Sequence, residues 1–458
     1  LAGSTFCYLE IDSHTAHAGF ETRVGAFLDI VEERRRKQGN ADAETAGAPA
    51  GAPKVRQARL SEEMDCIIDS DGRRVSYDDP RVAHVITVDV GHIARRLIRR
   101  VYQLSGRILR IADETDSEIL QYARRLCSGR ECVPMTAMVG ATLKDILNYR
   151  PDNEISIYLT LNQQGPCQNG AWPLVWETFG KRLDLRNAIF GVWSGETNNF
   201  LGLSPMHEMG VNGGFLLGDL LEEVRNTLSC LAKDRKAALK MFEAELDRFI
   251  QGFNIDQDAL ENALEHMAGR LAEIPLKAAV EETPRVLIIG GLNLLFVHDP
   301  ISEYLLEQGV LAKVVPFSEG LSWLTSEDVV RFGFEHGVIP PREQFDELPQ
   351  QHESEEAVKA QQSRFRLNLI ELIETRLRGI LEKSGLTFAS HVPYVDIIEA
   401  GAGHATHIGF TETTGTTGRY LRSVEQGNFD GIINLGSFNC APAMNAQAVI
   451  RPLANRSN

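Results

Sequence analysis

ISIYLTLNQQGPCQNGAWPLVWETFGKRLDLRNAIFGVW, residues 155–193, is the stretch that decides the fold class. Its first part, Ile155–Leu161, is mostly β-branched, aromatic or Leu, and reads as a buried strand. Gly165–Pro166 then turns the chain. Trp172–Leu183 has helical length and spacing, and Ala188–Trp193 is a second strand of the buried type. Strand, turn, helix and strand in succession make a parallel crossover unit.

The same alternation extends in both directions. Upstream lie an apolar run Val85–Val88, a helix Gly91–Leu104, a strand Arg107–Ile111 and helices Asp113–Cys127 and Pro134–Tyr149. Downstream, Phe215–Lys233, Arg235–Gln251 and Asp256–Ile274 are amphipathic and form an added helical segment. A second α/β unit starts at Arg285. It has strand Val286–Ile289, helix Ile301–Gly309, strand Ala312–Pro316, a polar loop Arg342–Ser354, a long helix Ala357–Ser384, strand Gly431–Leu435 and a helix over Ala443–Ile450. The predicted class is α/β with two parallel-sheet units, residues 61–284 and 285–458. Residues 37–60 are rich in Ala, Gly and Pro and read as a flexible linker or insertion. Residues 1–36, a strand Phe6–Ile11 and a helix Phe20–Arg36, read as the end of a preceding domain. Residue 1 is Leu, so the chain is expected to be a piece of a longer polypeptide.

A chain of 458 residues exceeds one core, so two or three domains are expected. The net charge of -16 argues against a nucleic-acid partner, which needs a basic face. There is no apolar run long enough to span a bilayer and no secretory signal, so the expected location is cytoplasmic.

Seven cysteines, Cys7, Cys66, Cys127, Cys132, Cys167, Cys230 and Cys440, are too scattered for a disulfide framework. Three share one setting. Cys132 (CSGRECVPMTAMVG), Cys167 (LNQQGPCQNGAW) and Cys440 (INLGSFNCAPAMN) each lie beside Gly or Pro and just before a helix. Cys167 and Cys440 also follow strands, at the edge where open parallel sheets collect function. Amides at a helix start favour a thiolate and can donate to cluster sulfurs. Three readings follow: buried structural thiols, a zinc site, or a shared iron–sulfur cluster. Zinc sites usually show close Cys-x-x-Cys pairs, whereas distant single cysteines from two units suit a cluster at an interface. No cysteine has a sequence-local His for protease chemistry. Cys127 is either a fourth ligand or the buried end of its helix. Cys7, Cys66 and Cys230 read as structural. His207–Glu208 reads as a solvated loop, Gly290–Gly291 as a tight turn, and no P-loop is present.

These motifs resemble a known family, the acyl-CoA dehydratase activase-related proteins, with the 2-hydroxyacyl-CoA dehydratases, benzoyl-CoA reductases and double-cubane-cluster proteins. FCYLEIDSHTAHAGFETRVGAFLDIV resembles the family's IDE…G…TR…AF segment through Glu10, Asp12, Gly19, Thr22, Arg23, Ala26 and Phe27. Cys132, Pro134 and Gly140 match its first cluster motif. Gln163, Gly165 and Cys167 match the second. Phe438, Cys440, Pro442 and Asn445 match the third. Gln168 and Ala441 stand where the family has other residues. The resemblance implies two Rossmann-like domains holding a [4Fe-4S] or double-cubane [8Fe-9S] cluster on Cys132, Cys167 and Cys440, with Cys127 as the further candidate. It implies an oxygen-sensitive, ATP-dependent redox enzyme acting on an acyl-CoA or small-molecule substrate, assembled as an oligomer. Its electron would come from an ATPase activator of the actin-like nucleotide-binding class. A double-cubane-type reductase and a non-catalytic electron carrier or scaffold are the rival outcomes.

Overall fold

The computed structural model describes residues 57–112, 115–127, 129–161, 167–193, 201–253, 256–290, 300–337, 347–405, 411–437 and 439–457, together with Leu28 and Val31. The chain separates into a unit at Leu1–Val55 and a unit at Arg56–Asn458, and the fold below is that of the second. The predicted strand Phe6–Ile11, and Glu10, Asp12, Gly19, Thr22, Arg23, Ala26 and Phe27, lie outside the described residues. Of the predicted helix Phe20–Arg36, Leu28 and Val31 are described and are helical.

The architecture is mixed α/β with two parallel sheets. A small antiparallel sheet comes first, made of β1 (Arg59–Leu60), β2 (Ile67–Ile68) and β3 (Arg74–Val75). Ordered structure therefore begins well before Val85, where the sequence pattern places it. Strands this short leave no period-two signal to read.

The first parallel sheet is built from β4 (Val82–Ile86), β5 (Ile108–Ile111), β6 (Ile155–Leu161) and β7 (Ala188–Trp193), in the order β5–β4–β6–β7. Its helices are α1 (His92–Ser105), α2 (Ser117–Ala123), α3 (Val133–Asn148) and α4 (Trp172–Arg182). Every residue of β4 is buried, as a strand covered on both faces requires. The chain adds β5 on one side of β4 and β6 on the other, so the connections diverge between β4 and β6. Helix α3 is held against this sheet by charge. The Arg110 guanidinium of β5 grips Asp145 of α3 at 2.6 and 2.9 Å, and Tyr158 of β6 donates to the same carboxylate at 2.9 Å.

β4 also carries a buried histidine. His84 Nδ1 lies 2.8 Å from Tyr102 Oη. Burial first, then the Arg107 charge, pull its pKa down to about 4. The unfolded chain takes up this proton near pH 6.5, so the contribution is complete above that value and is lost as the pH falls towards about 4. From pH 7 to pH 5 the expected loss from this one group is about 2 kcal/mol. Urea unfolding at the two pH values measures it, and His84→Gln should remove that share of the pH dependence.

The predicted helical segment is α5 (Pro205–Leu231), α6 (Arg235–Gly252) and α7 (Gln257–Ala272). Helix α5 starts earlier than the expected Phe215, so His207 and Glu208 sit in its first turn and not on a loop. Ser204 caps it, accepting from the His207 amide, and Pro205 follows. Two glycines of this helix, Gly214 and Gly218, serve packing against α1. A side chain at Gly218 would place its Cβ 2.6 Å from that of Ala94 on α1.

The second parallel sheet has β8 (Arg285–Ile289), β9 (Leu311–Val314) and β10 (Gly431–Asn434), in the order β10–β8–β9. Its helices are α8 (Pro300–Glu307), α9 (Phe317–Thr325), α10 (Glu327–Glu335), α11 (Glu355–Glu382), α12 (Tyr394–Ala402), α13 (Glu412–Gln426) and α14 (Ala441–Ser457). Here the connections diverge between β8 and β10. A Cβ at Gly290, just past β8, would lie 2.3 Å from the Leu435 carbonyl just past β10. Only glycine lets the two strand ends come this close.

Helix α5 joins the two sheets. Phe215 stacks on Phe317, with ring centres 4.3 Å apart. The Asp219 carboxylate accepts from the Phe317 and Ser318 amides at 2.9 and 2.8 Å. It thereby caps α9 from another helix, where Pro316 has no side chain able to do so. Below it, buried Glu223 meets Lys313 Nζ of β9 at 2.8 Å and accepts from the Phe388 and Ala389 amides at 2.8 and 2.9 Å. Arg378 of α11 stands 3.5 Å from the same carboxylate and donates to the Ala389 carbonyl at 2.6 Å. Among the described residues no helix is long and apolar enough to cross a membrane.

Candidate functional site

The three singled-out cysteines all stand immediately before helical turns. Cys132 is the N-cap of α3, with Pro134 in the first turn. Cys167 precedes the 3-10 turn Gln168–Ala171 that leads into α4. Cys440 precedes α14, and its carbonyl accepts from the Met444 amide at 3.0 Å. The sheets explain the placement. Helix α3 begins at the carboxyl edge of the first sheet and returns to the amino edge, and Cys167 lies just past β6. Cys440 lies just past β10, beside the other divergence of connections.

One carbonyl gathers these three segments. Arg130 O accepts from Gln168 Nε2 at 3.5 Å and from Asn439 Nδ2. Gln168 Oε1 in turn accepts from the Cys132 amide at 2.8 Å. The residue two before Cys132, the residue after Cys167 and the residue before Cys440 therefore meet at a single point. Asn439 reaches it from a left-handed backbone, φ 60°, a conformation that asparagine tolerates well. The Arg130 turn is itself organised by Glu131, whose carboxylate accepts from the Gly129 and Arg130 amides at 3.0 and 3.1 Å.

Electrostatics at the junction begin with burial. Burial raises the Cys132 thiol above its ordinary value, and Glu412 and Glu131 add to the rise, while the Met135 and Cys132 amides act the other way. Cys127 is half-buried in the turn after α2. Burial and then Glu131 push its pKa up to about 12, Thr136 opposes this, and Cys132 adds to it. Cys127 thus belongs to the surroundings of Cys132. It lies beyond the end of its helix, which Asp116 caps at its start and which stops at Ala123. Glu412, at the start of α13, was invisible as a site residue in the sequence. The neighbouring Thr413 hydroxyl donates to the Pro442 carbonyl at 3.1 Å and so ties α13 to the Cys440 turn.

Among the described residues no group of three or more His, Cys, Asp or Glu side chains is drawn together to hold a metal ion. What is drawn together is the backbone that carries Cys132, Cys167 and Cys440. The donor set fits an iron–sulfur cluster in kind: thiols before helix starts, two of them buried, with amides facing the Cys132 sulfur. Cys66 and Cys230 are buried. Cys7, Gln163, Gly165 and Phe438 lie outside the described residues.

No known family model, curated protein or solved structure matches this chain.

The junction also borders open space. A groove of about 460 Å³ runs beside it, lined in part by Arg130, Met135, Gln168, Leu174 and Arg182. Leu174 is 67% exposed on its rim. Gln168 is therefore shared between the junction and the groove.

Proposed function

We propose that the chain holds an iron–sulfur cluster on Cys132, Cys167 and Cys440, with Cys127 beside them, between two Rossmann-like units. On this reading it is the cluster-bearing component of an ATP-dependent, oxygen-sensitive redox enzyme of the 2-hydroxyacyl-CoA dehydratase type, working in the cytoplasm. The observation that carries the reading is the Arg130 carbonyl, where three segments far apart in sequence are pinned by Gln168 and Asn439. Two side chains that converge on one carbonyl fix the spacing of the backbone that carries the cysteines.

When bound, such a cluster supplies one-electron chemistry at low potential. The chain's own residues set the conditions. Burial of Cys132 and Cys440 keeps water from their sulfurs. The helix starts turn amides towards thiolate charge. Glu412 places a carboxyl near Cys132. The groove beside Gln168 gives a partner or substrate a way to approach over a short distance. The chain has no P-loop, and the family resemblance assigns the driving nucleotide hydrolysis to an activator domain or protein of the actin-like class.

Iron and sulfide analysis of anaerobically purified single variants tests the reading. Cys132→Ala, Cys167→Ala and Cys440→Ala should each lose most of the iron. Cys127→Ala should lower the iron content or shift the reduction potential. Full iron with an unchanged potential makes Cys127 a packing residue, at a cost of about 1 kcal/mol. Wild-type iron in any of the first three variants defeats the shared site.

A further inference from the structure

A second pocket lies over the carboxyl ends of β8 and β9, at Gly290 and Pro316, between α9, α12 and α13. One wall is apolar, formed by Ile289, Val315 and Trp323. The other carries Arg419, with Glu319 and Tyr394 beside it.

Arg419 is the unusual group. It is only 4% exposed. Its Nε makes no hydrogen bond, and the Glu319 carboxylate stands 3.6 Å away, beyond hydrogen-bonding distance. No hydrogen bond joins the guanidinium to another described residue. A guanidinium cannot shed its proton and carries five donors in a fixed plane. Buried cations are normally paired and hydrogen-bonded. Glu319 pairs its charge with Arg419 at 3.6 Å but accepts no hydrogen bond from it, so the donors of the guanidinium stay unfilled. Burial raises the Glu319 pKa, with Arg419 acting the other way. The Tyr394 hydroxyl likewise makes no hydrogen bond to a described residue. A Cβ at Gly415 would lie 2.9 Å from it, so the glycine leaves this oxygen its space.

The pocket thus presents unused donors on one side and hydrocarbon on the other. Its volume, about 40 Å³, is far below the several hundred that a drug-sized ligand needs. A carboxylate takes two parallel bonds from a guanidinium and carries a single charge. A phosphate dianion would bring more charge up to Glu319 and Glu412, which line the same space. We propose that this pocket binds a short aliphatic carboxylate, its oxygens on Arg419 and Tyr394 and its alkyl end against Trp323 and Val315. The proposal does not rest on the cysteine junction.

The test uses the whole chain, purified metal-free, with propionate, butyrate and inorganic phosphate as probes. Calorimetric titration and thermal unfolding should show saturable binding of propionate or butyrate and none of phosphate. Arg419→Gln should abolish it. Arg419→Lys keeps the charge and is the safer variant to fold, but it loses the planar fork. It should bind at least about ten-fold more weakly. Absence of saturable binding at millimolar carboxylate, binding of phosphate in its place, or wild-type affinity in Arg419→Lys would overturn the proposal. Because the protein is metal-free, none of these results bears on the cluster, and iron analysis does not bear on the pocket.

Discussion

Glu223→Ala should destabilise the fold by about 3–5 kcal/mol, the range for breaking a buried ion pair by removing one partner. Burial works against the charged form of Glu223, but Lys313, Arg378 and the Ala389 amide outweigh it and hold its carboxyl below the ordinary value. Removing it leaves Lys313 Nζ and the Arg378 guanidinium buried without their shared anion, and it strips the acceptor from two amides. These groups come from α5, β9, α11 and the segment before α12, so the loss falls where the two sheets are joined. Chemical unfolding measures it. A loss below about 1 kcal/mol, the scale of an exposed pair, would contradict the account. Glu223→Gln keeps an acceptor for the amides and should fall between the variant and the wild type.

Gly418→Ala should be at least as damaging. A Cβ there would lie 1.7 Å from the Ile397 carbonyl and 2.9 Å from the Gly401 amide nitrogen. Both are backbone atoms of α12, so no flexible side chain can move aside. Helices α12 and α13 must separate, at an expected cost of about 3–5 kcal/mol, in the severe tail of single substitutions. Because Thr413 ties α13 to the Cys440 turn, the variant should also hold less iron. Gly379→Ala is the control. A Cβ at Gly379, inside α11, meets nothing within 4 Å, so alanine there should stabilise by about 0.5–1 kcal/mol. Equal behaviour of the two variants in thermal unfolding would contradict the close helix crossing.

The parallel strands were the most legible part of the sequence. β6 and β7 fall where Ile155–Leu161 and Ala188–Trp193 predict them, because buried parallel strands are continuous apolar runs. Helix α13 was not legible. ETTGTTGRYLRSVEQ is rich in Thr and Gly, both poor helix formers, and it is helical because Glu412–Tyr420 is buried against neighbours. The early start of α5 was hidden because Gly213 and Gly214 look like breakers, whereas Gly214 acts as a contact point with α1. At the site, the three cysteine turns could be read from Gly and Pro next to Cys. Arg130, Gln168 and Asn439 could not, because a polar side chain reaching a distant carbonyl leaves no periodic trace. Arg419 and Glu319 were equally silent, lying in helices with no recognisable motif.

Iron and acid-labile sulfide per chain, measured on anaerobically purified wild-type protein beside a Cys132→Ser/Cys167→Ser/Cys440→Ser variant of matched folding, test the central claim most directly. The account predicts iron and sulfide amounting to at least one cluster in the wild type, with the iron–thiolate absorption that accompanies it, and neither in the variant. A folded wild type without iron, or a triple variant that retains it, would contradict the claim.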